Sequence, residues 1–174
     1  MNKEAINEIL ENKHQKLFDW IKNQPQDSFQ KGPVGKWTTG QHIVHLVNSI
    51  KKVNHALSFP KFILKYKFGT SNREVRSYEA IVKKYQDKLS KNKEKAQEFN
   101  KKVSTPSEKQ YKQLLTTLQI QNKKLQHKTK RWKNEDLDNL ILPHPLMGKM
   151  PVREIIMWTA YHTEHHARIL EQKH

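Results

Sequence analysis

The chain has 174 residues, of which 34% are hydrophobic, and 33 Lys and Arg stand against 17 Asp and Glu for a formal net charge of +16. One domain spanning residues 1–174 is expected, with apolar side chains enough for narrow helical stripes rather than wide sheet faces. Cysteine is absent, which excludes a disulfide scaffold, a Cys-based zinc site and a Cys nucleophile.

The charged N-terminus has no apolar stretch of signal-peptide length, and no run approaches the roughly 18 apolar residues of a membrane span. A soluble, cytoplasmic protein without membrane partners is expected. From about Ala5 to Ile21, the residues Ala5, Ile6, Ile9, Leu10, Leu17, Phe18 and Ile21 share one face of a first amphipathic helix. His14 on that helix is assigned to its surface or boundary. NQPQDSFQKGPVGK then has loop composition. Thr38 with Gln41 three residues on forms a capping box, so a second helix starts there. Its stripe is Ile43, Leu46, Val47, Ile50, Val53 and Leu57. His42 lies about 70° from the middle of that stripe and His45 about 130°, so the helical wheel favours His42 as the inward-facing one. His55 is expected to be exposed.

SFPKFILKYKFGTSN, from Ser58 to Asn72, is expected to be an irregular connection whose aromatic residues Phe59, Phe62, Tyr66 and Phe68 anchor it to the core. Tyr78, Ile81, Val82, Tyr85 and Leu89 restore a helical pattern, followed by the lysine-rich SKNKEKAQEFNKK, expected to be a solvated extension. Thr105, Pro106, Ser107 and Glu108 combine an N-cap, a helix-opening proline and a capping-box glutamate. The helix after them has the seam Tyr111, Leu115, Leu118, Asn122, Leu125, Thr129 and Trp132. Pro143, Pro145 and Gly148 break helicity, and Pro151 can open a last helix at its first turn. The fold class is therefore all-α: four principal helices in a bundle, with an extra helical insert between helices 2 and 3.

The last helix, VREIIMWTAYHTEHHARIL, carries the chemistry. Val152, Ile155, Thr159, His162, His166 and Ile169 alternate steps of three and four, so two imidazoles occupy a hydrophobic seam. Burial of two imidazoles requires partners, which a metal shared at (i, i+4) spacing or hydrogen bonds in a polar interior would supply. His165 lies about 100° round the helix from His166 and is assigned to a rim. Glu164 is assigned to solvent. The excess positive charge is mostly lysine, with only Arg73, Arg76, Arg131, Arg153 and Arg168 as arginines. That suits a solvated basic surface, and specific nucleic-acid binding is not expected.

Three stretches read together are more specific than the histidine pair: Trp37-Thr38-x-x-Gln41-x-x-x-His45-Leu46, His144-Pro145-x-x-Gly148 and His162-x-x-x-His166. In this order the chain resembles the DinB-like superfamily, which includes YfiT-type metal-dependent hydrolases and bacillithiol S-transferases. The resemblance covers most of the chain and is weakest over the insert. It implies a four-helix bundle, often a homodimer, with a divalent metal (Zn, Ni or Fe) on His45, His162 and His166, against the wheel's preference for His42. It also makes His144 a second-sphere or substrate contact at the pocket edge. The implied activities are transfer of a low-molecular-weight thiol to an electrophile, or hydrolysis of a small substrate, and the positive surface would favour an anionic one by steering. The chain departs from the pattern in having Asn48 where an acidic residue is frequent, and no carboxylate between Phe59 and Asn72 to match a catalytic base. The alternative is a non-catalytic, stress-related bundle that binds a ligand or partner.

Overall fold

The computed structural model describes residues 1–25, 27–92 and 103–172. Among the described residues, seven helices and one hairpin follow in order: α1 (Lys3–Lys22), α2 (Thr39–Ala56), α3 (Lys61–Phe68), α4 (Tyr78–Lys91), α5 (Glu108–Arg131), α6 (Asn134–Asn139), β1 (Ile141–His144), β2 (Gly148–Pro151) and α7 (Val152–Glu171), with a short 3-10 turn at Ser28–Gln30. Four of them form the bundle. α1 packs on α7 and α5, and α2 packs on α5 and α7, so each long helix has two long neighbours. The expected stripes face inward: Ile43, Leu46, Val47, Ile50, Val53 and Leu57 of the second helix are all buried, as are Leu118, Asn122, Leu125 and Thr129 of α5.

The α2 capping box forms as the sequence predicts, with Gln41 N–H donating to Thr38 Oγ1 at 3.2 Å and Thr38 N–H donating to Gln41 Oε1 at 2.9 Å. The start of α5 is displaced from the expected one. Ser107, not Thr105, is the N-cap, and Gln110 completes its box in place of Glu108, because that spacing satisfies both free backbone N–H groups. Pro106 is used for packing instead. It lies against Gly40, where an added Cβ would come within 2.8 Å of Pro106 Cγ and 2.9 Å of the Phe29 carbonyl oxygen. Backbone atoms cannot swing aside, so Gly40→Ala is expected to destabilise the fold by about 1–3 kcal/mol, read from urea or thermal unfolding.

Two segments differ from expectation. Residues 61–68 form a regular helix rather than an irregular connection, and it turns Phe62 and Tyr66 to solvent instead of using them as anchors. Leu64, buried, and half-buried Phe68 do the anchoring. The Pro-rich stretch before the last helix is an antiparallel hairpin, pairing Ile141 with Pro151 and His144 with Gly148. Gly148 takes a φ of +75° there, a backbone state that costs glycine little. The insert contains α4, as expected, and α3 in addition. The lysine-rich residues 93–102 lie outside the described residues.

α7 is more central than one seam implies, since every residue from Val152 to Thr163 is buried. α1, α2, α4, α6 and the hairpin surround it. Such enclosure brings charged side chains inside, and Arg153 and Glu154 are both paired. Arg153 binds Asp138 and also donates to Asn134 Oδ1 at 2.9 Å, fastening α6 to α7. Glu154 is gripped by two arginines of the 70–77 segment. Among the described residues no helix is long and apolar enough to cross a membrane.

Candidate metal centre

His162 and His166 lie one turn apart on α7, and α2 presents His45 and His42 across from them. His45 Nε2 stands 3.0 Å from His162 Nε2, and His166 Nε2 stands 3.1 Å from the same atom. The ligand atoms of His45, His162 and His166 all fall within 4.8 Å of one another. His42 turns inward too, as the wheel predicts, but it meets the back of His166: the two Nδ1 atoms are 2.8 Å apart. The periodicity and the family resemblance each identify a histidine of α2 that faces the cluster. Only His45 brings a nitrogen into the three-atom group.

One imidazole nitrogen has a single in-plane valence, either an N–H or a lone pair. His162 Nε2 can therefore meet two neighbours only by sharing one lone pair between two donors. A cation accepting three lone pairs satisfies all of them, and nitrogen ligands about 2.0–2.1 Å from a zinc-sized ion stand roughly 3 Å apart, as His162 does from His45 and from His166. The protonation states agree with that use. Burial pushes His45 down to about 4, with the charges of His165 and Lys52 adding to the effect. Burial, then the neighbouring imidazoles, holds His162 and His166 well below the ordinary histidine value. All three are neutral at neutral pH, the form that binds metals.

Aromatic rings wall the cluster. Trp37, just ahead of the α2 cap, stacks over His166 at 6.0 Å and touches His45 at 5.0 Å between ring centroids. Trp158, one turn before His162, stacks on it at 4.4 Å. Tyr85 of α4 packs edge-on against Trp158, His162 and His165. The α4 insert thus builds one wall of the site. The sequence offered a signal for Trp158 and Tyr85 in their helical spacing to His162 and Ile81, but that spacing equally describes core residues. His45 is only half-buried, which leaves the cluster its open side.

His144 is not part of the three-nitrogen group. It is buried at the end of β1, and its ring meets Trp158 edge-on at 4.3 Å. Its Nδ1 accepts from the Leu146 and Met147 N–H groups at 3.1 and 3.0 Å. The proton of this neutral ring, which burial pushes down to about 4, is therefore on Nε2. That N–H is buried without a hydrogen-bond partner among the described residues. His165 is half-buried at the rim, and His55 is exposed, both as expected.

Two assignments are corrected. His14 is not a surface residue: it is 1% exposed, with Nδ1 on the Leu10 carbonyl at 2.8 Å and Nε2 facing the Thr163 hydroxyl at 3.4 Å. It falls on the same stripe as Leu10 and Leu17, and the carbonyl one turn back supplies the partner that burial demands. Glu164 is not free in solvent but bridges Lys13 of α1 and Arg168. Asn48 is exposed, and the α7 carboxylates Glu154 and Glu164 are both ion-paired.

The model of the DinB superfamily matches residues 9–170. The chain belongs to the DinB superfamily. Its fold is a DinB-type helical one with a small hairpin ahead of the last helix, and it carries a three-histidine cluster that could bind a metal ion. No curated protein and no solved structure matches the chain.

Proposed function

We propose that this DinB superfamily member is a divalent-metal-dependent enzyme, with zinc, nickel or iron on His45, His162 and His166, that transfers a low-molecular-weight thiol to a small electrophile. The supporting observation is the convergence of the His45 and His166 nitrogens on His162 Nε2, whose one lone pair two hydrogen bonds would have to share, whereas a cation takes one lone pair from each ring. When bound, the ion supplies Lewis acidity that lowers the pKa of a thiol or water at its open positions.

The chain's own residues do the rest. His42 Nδ1 faces His166 Nδ1 and holds that ring with its Nε2 toward the cluster. Trp37, Trp158 and Tyr85 keep bulk water from three sides. His144 offers its Nε2–H as a donor to a substrate oxygen or leaving group. The thiol comes from outside, since the chain has no cysteine. It gives up its proton to solvent water at the open side of the cluster, its sulfur forms the new bond to the substrate carbon, and the bond to the leaving group breaks with the electron pair departing on that group. The positive surface draws anionic thiols and substrates toward the site. Hydrolysis uses the same residues with water in place of the thiol.

The test is elemental analysis of the purified chain together with conjugation of low-molecular-weight thiols to a small alkylating agent. About one equivalent of divalent ion per chain is expected, with turnover lost on chelation and regained when the ion is returned. Absence of a stoichiometric ion, or equal turnover after its removal, overturns the enzymatic reading and leaves a non-catalytic bundle. Consumption of a hydrolysable ester or amide in the absence of thiol assigns the hydrolytic reaction instead.

A further inference from the structure

α3 presents an apolar stripe to the outside. Phe62 is 73% exposed, Tyr66 93% and Ile63 36%, and Phe59 in the turn just ahead is 42% exposed. Positions 59, 62, 63 and 66 share one helical face, the pattern by which a helix usually buries itself. Here the opposite side is the buried one, where Leu64 and Phe68 hold the helix on β1. A cluster of large exposed apolar side chains marks an interaction surface.

The charges around the stripe identify its partner. Exposed Lys65 falls about 60° to one side of Phe62 on the helical wheel, and exposed Lys67 about 40° beyond Ile63 on the other side. The apolar stripe is thus bordered by an ammonium group along each edge. No Asp or Glu occurs between Ser58 and Arg73. Lys149 adds a third positive charge at the end of the helix, donating to the Phe68 carbonyl at 3.0 Å, while the nearby carboxylate of Asp136 is neutralised by Lys61. A second copy of this chain would set two such basic faces, each on a body of net charge +16, against one another. An anionic lipid surface suits both features. It takes the aromatic and aliphatic side chains at the acyl boundary, and long lysine stems let the ammonium groups reach headgroup phosphates.

We propose that α3 docks the protein on an anionic membrane surface, with Phe62, Ile63 and Tyr66 entering the interfacial layer and Lys65 and Lys67 contacting lipid phosphates. This docking is peripheral and independent of the histidine cluster.

Co-sedimentation of the full chain with vesicles tests it. Partition onto phosphatidylcholine vesicles containing about one-third phosphatidylglycerol is expected to exceed partition onto phosphatidylcholine alone by tenfold or more at physiological salt. Phe62→Ser with Tyr66→Ser, which changes no charge and no buried side chain, is expected to lower partition onto the anionic vesicles by about tenfold. Lys65→Glu with Lys67→Glu should do the same, whereas the equal charge change Lys109→Glu with Lys124→Glu on α5 should reduce partition only slightly. If the Phe62/Tyr66 variant binds like the wild type, general adsorption of a basic protein is the explanation and the proposal fails. It also fails if the wild type ignores anionic vesicles. A dimer that these Phe62 and Tyr66 changes convert to monomer without vesicles would assign the face to a second copy instead.

Discussion

Replacing His162 and His166 together with alanine is expected to abolish stoichiometric metal binding, weakening affinity by far more than the roughly 100-fold typical of a lost outer-sphere partner. Two of three converging nitrogens disappear, and His45 alone cannot hold a divalent ion against water. His42→Phe should give a smaller, diagnostic effect. A metal on His166 Nε2 needs the lone pair there, so the His166 proton must be on Nδ1, where it donates to His42 Nδ1 across 2.8 Å. Phenylalanine keeps much of the ring volume and removes that acceptor. A decrease of about 10–100-fold in affinity is expected, measured by competition with a chelator of known strength. His55→Ala, at an exposed position of α2, should leave metal content unchanged. Wild-type metal content in the His162/His166 variant would show that the ion, if present, sits elsewhere, and the enzymatic reading would lose its foundation.

The long helices were legible because their apolar residues recur at three and four and their caps are explicit. Thr38 and Gln41 mark the start of α2, and the seam from Tyr111 to Trp132 marks the inner face of α5. Features that depend on tertiary enclosure were not. α7 is surrounded by five other elements, so its burial extends well beyond the seam of Val152, Ile155 and Thr159. His14 looks like a polar residue on an amphipathic helix until Thr163 and the Leu10 carbonyl are brought to it. β1 and β2, each of four residues, are too short to display an alternating pattern, and their prolines resemble a helix break.

The same distinction applies to the site. His162 and His166 announce themselves by spacing, whereas the choice between His42 and His45 depends on where α2 stands against α7. The wheel correctly turns His42 inward, where it meets His166 Nδ1, yet it is the half-buried His45 that reaches His162. α3 misleads for the opposite reason. Its stripe has the spacing of a core face, and only the placement of Leu64 against the hairpin reveals that the stripe looks outward.

Arg73→Met is expected to destabilise the protein by about 3 kcal/mol. Glu154, in the first turn of α7, has a side chain with no solvent exposure and four charge-assisted hydrogen bonds. Arg73 supplies two of them, at 2.6 and 2.8 Å in a bidentate fork, and the Arg76 N–H and guanidinium supply the others at 2.8 and 3.0 Å. Burial alone would raise the Glu154 carboxyl, but the hydrogen bonds and charges of Arg73 and Arg76 override it and hold the group below its ordinary value. A carboxyl depressed in the folded state contributes stability that is fully present above its unfolded pKa, near about 4.3, and is lost as pH falls through the lower folded value. Removing Arg73 leaves Arg76 to offset the burial alone, which moves the folded value upward. The variant should therefore lose stability at neutral pH and lose less of it on acidification, because the decline still begins at the unfolded pKa but is complete at a higher pH than in the wild type. Urea unfolding at a series of pH values measures both. A variant within about 0.5 kcal/mol of the wild type, with an unchanged acid limb, would show that the pair is not what fastens the 70–77 segment to α7. That fastening matters for the site because Glu154 is one turn before Trp158 and two before His162. The arginines therefore brace the helix that carries two of the three converging nitrogens.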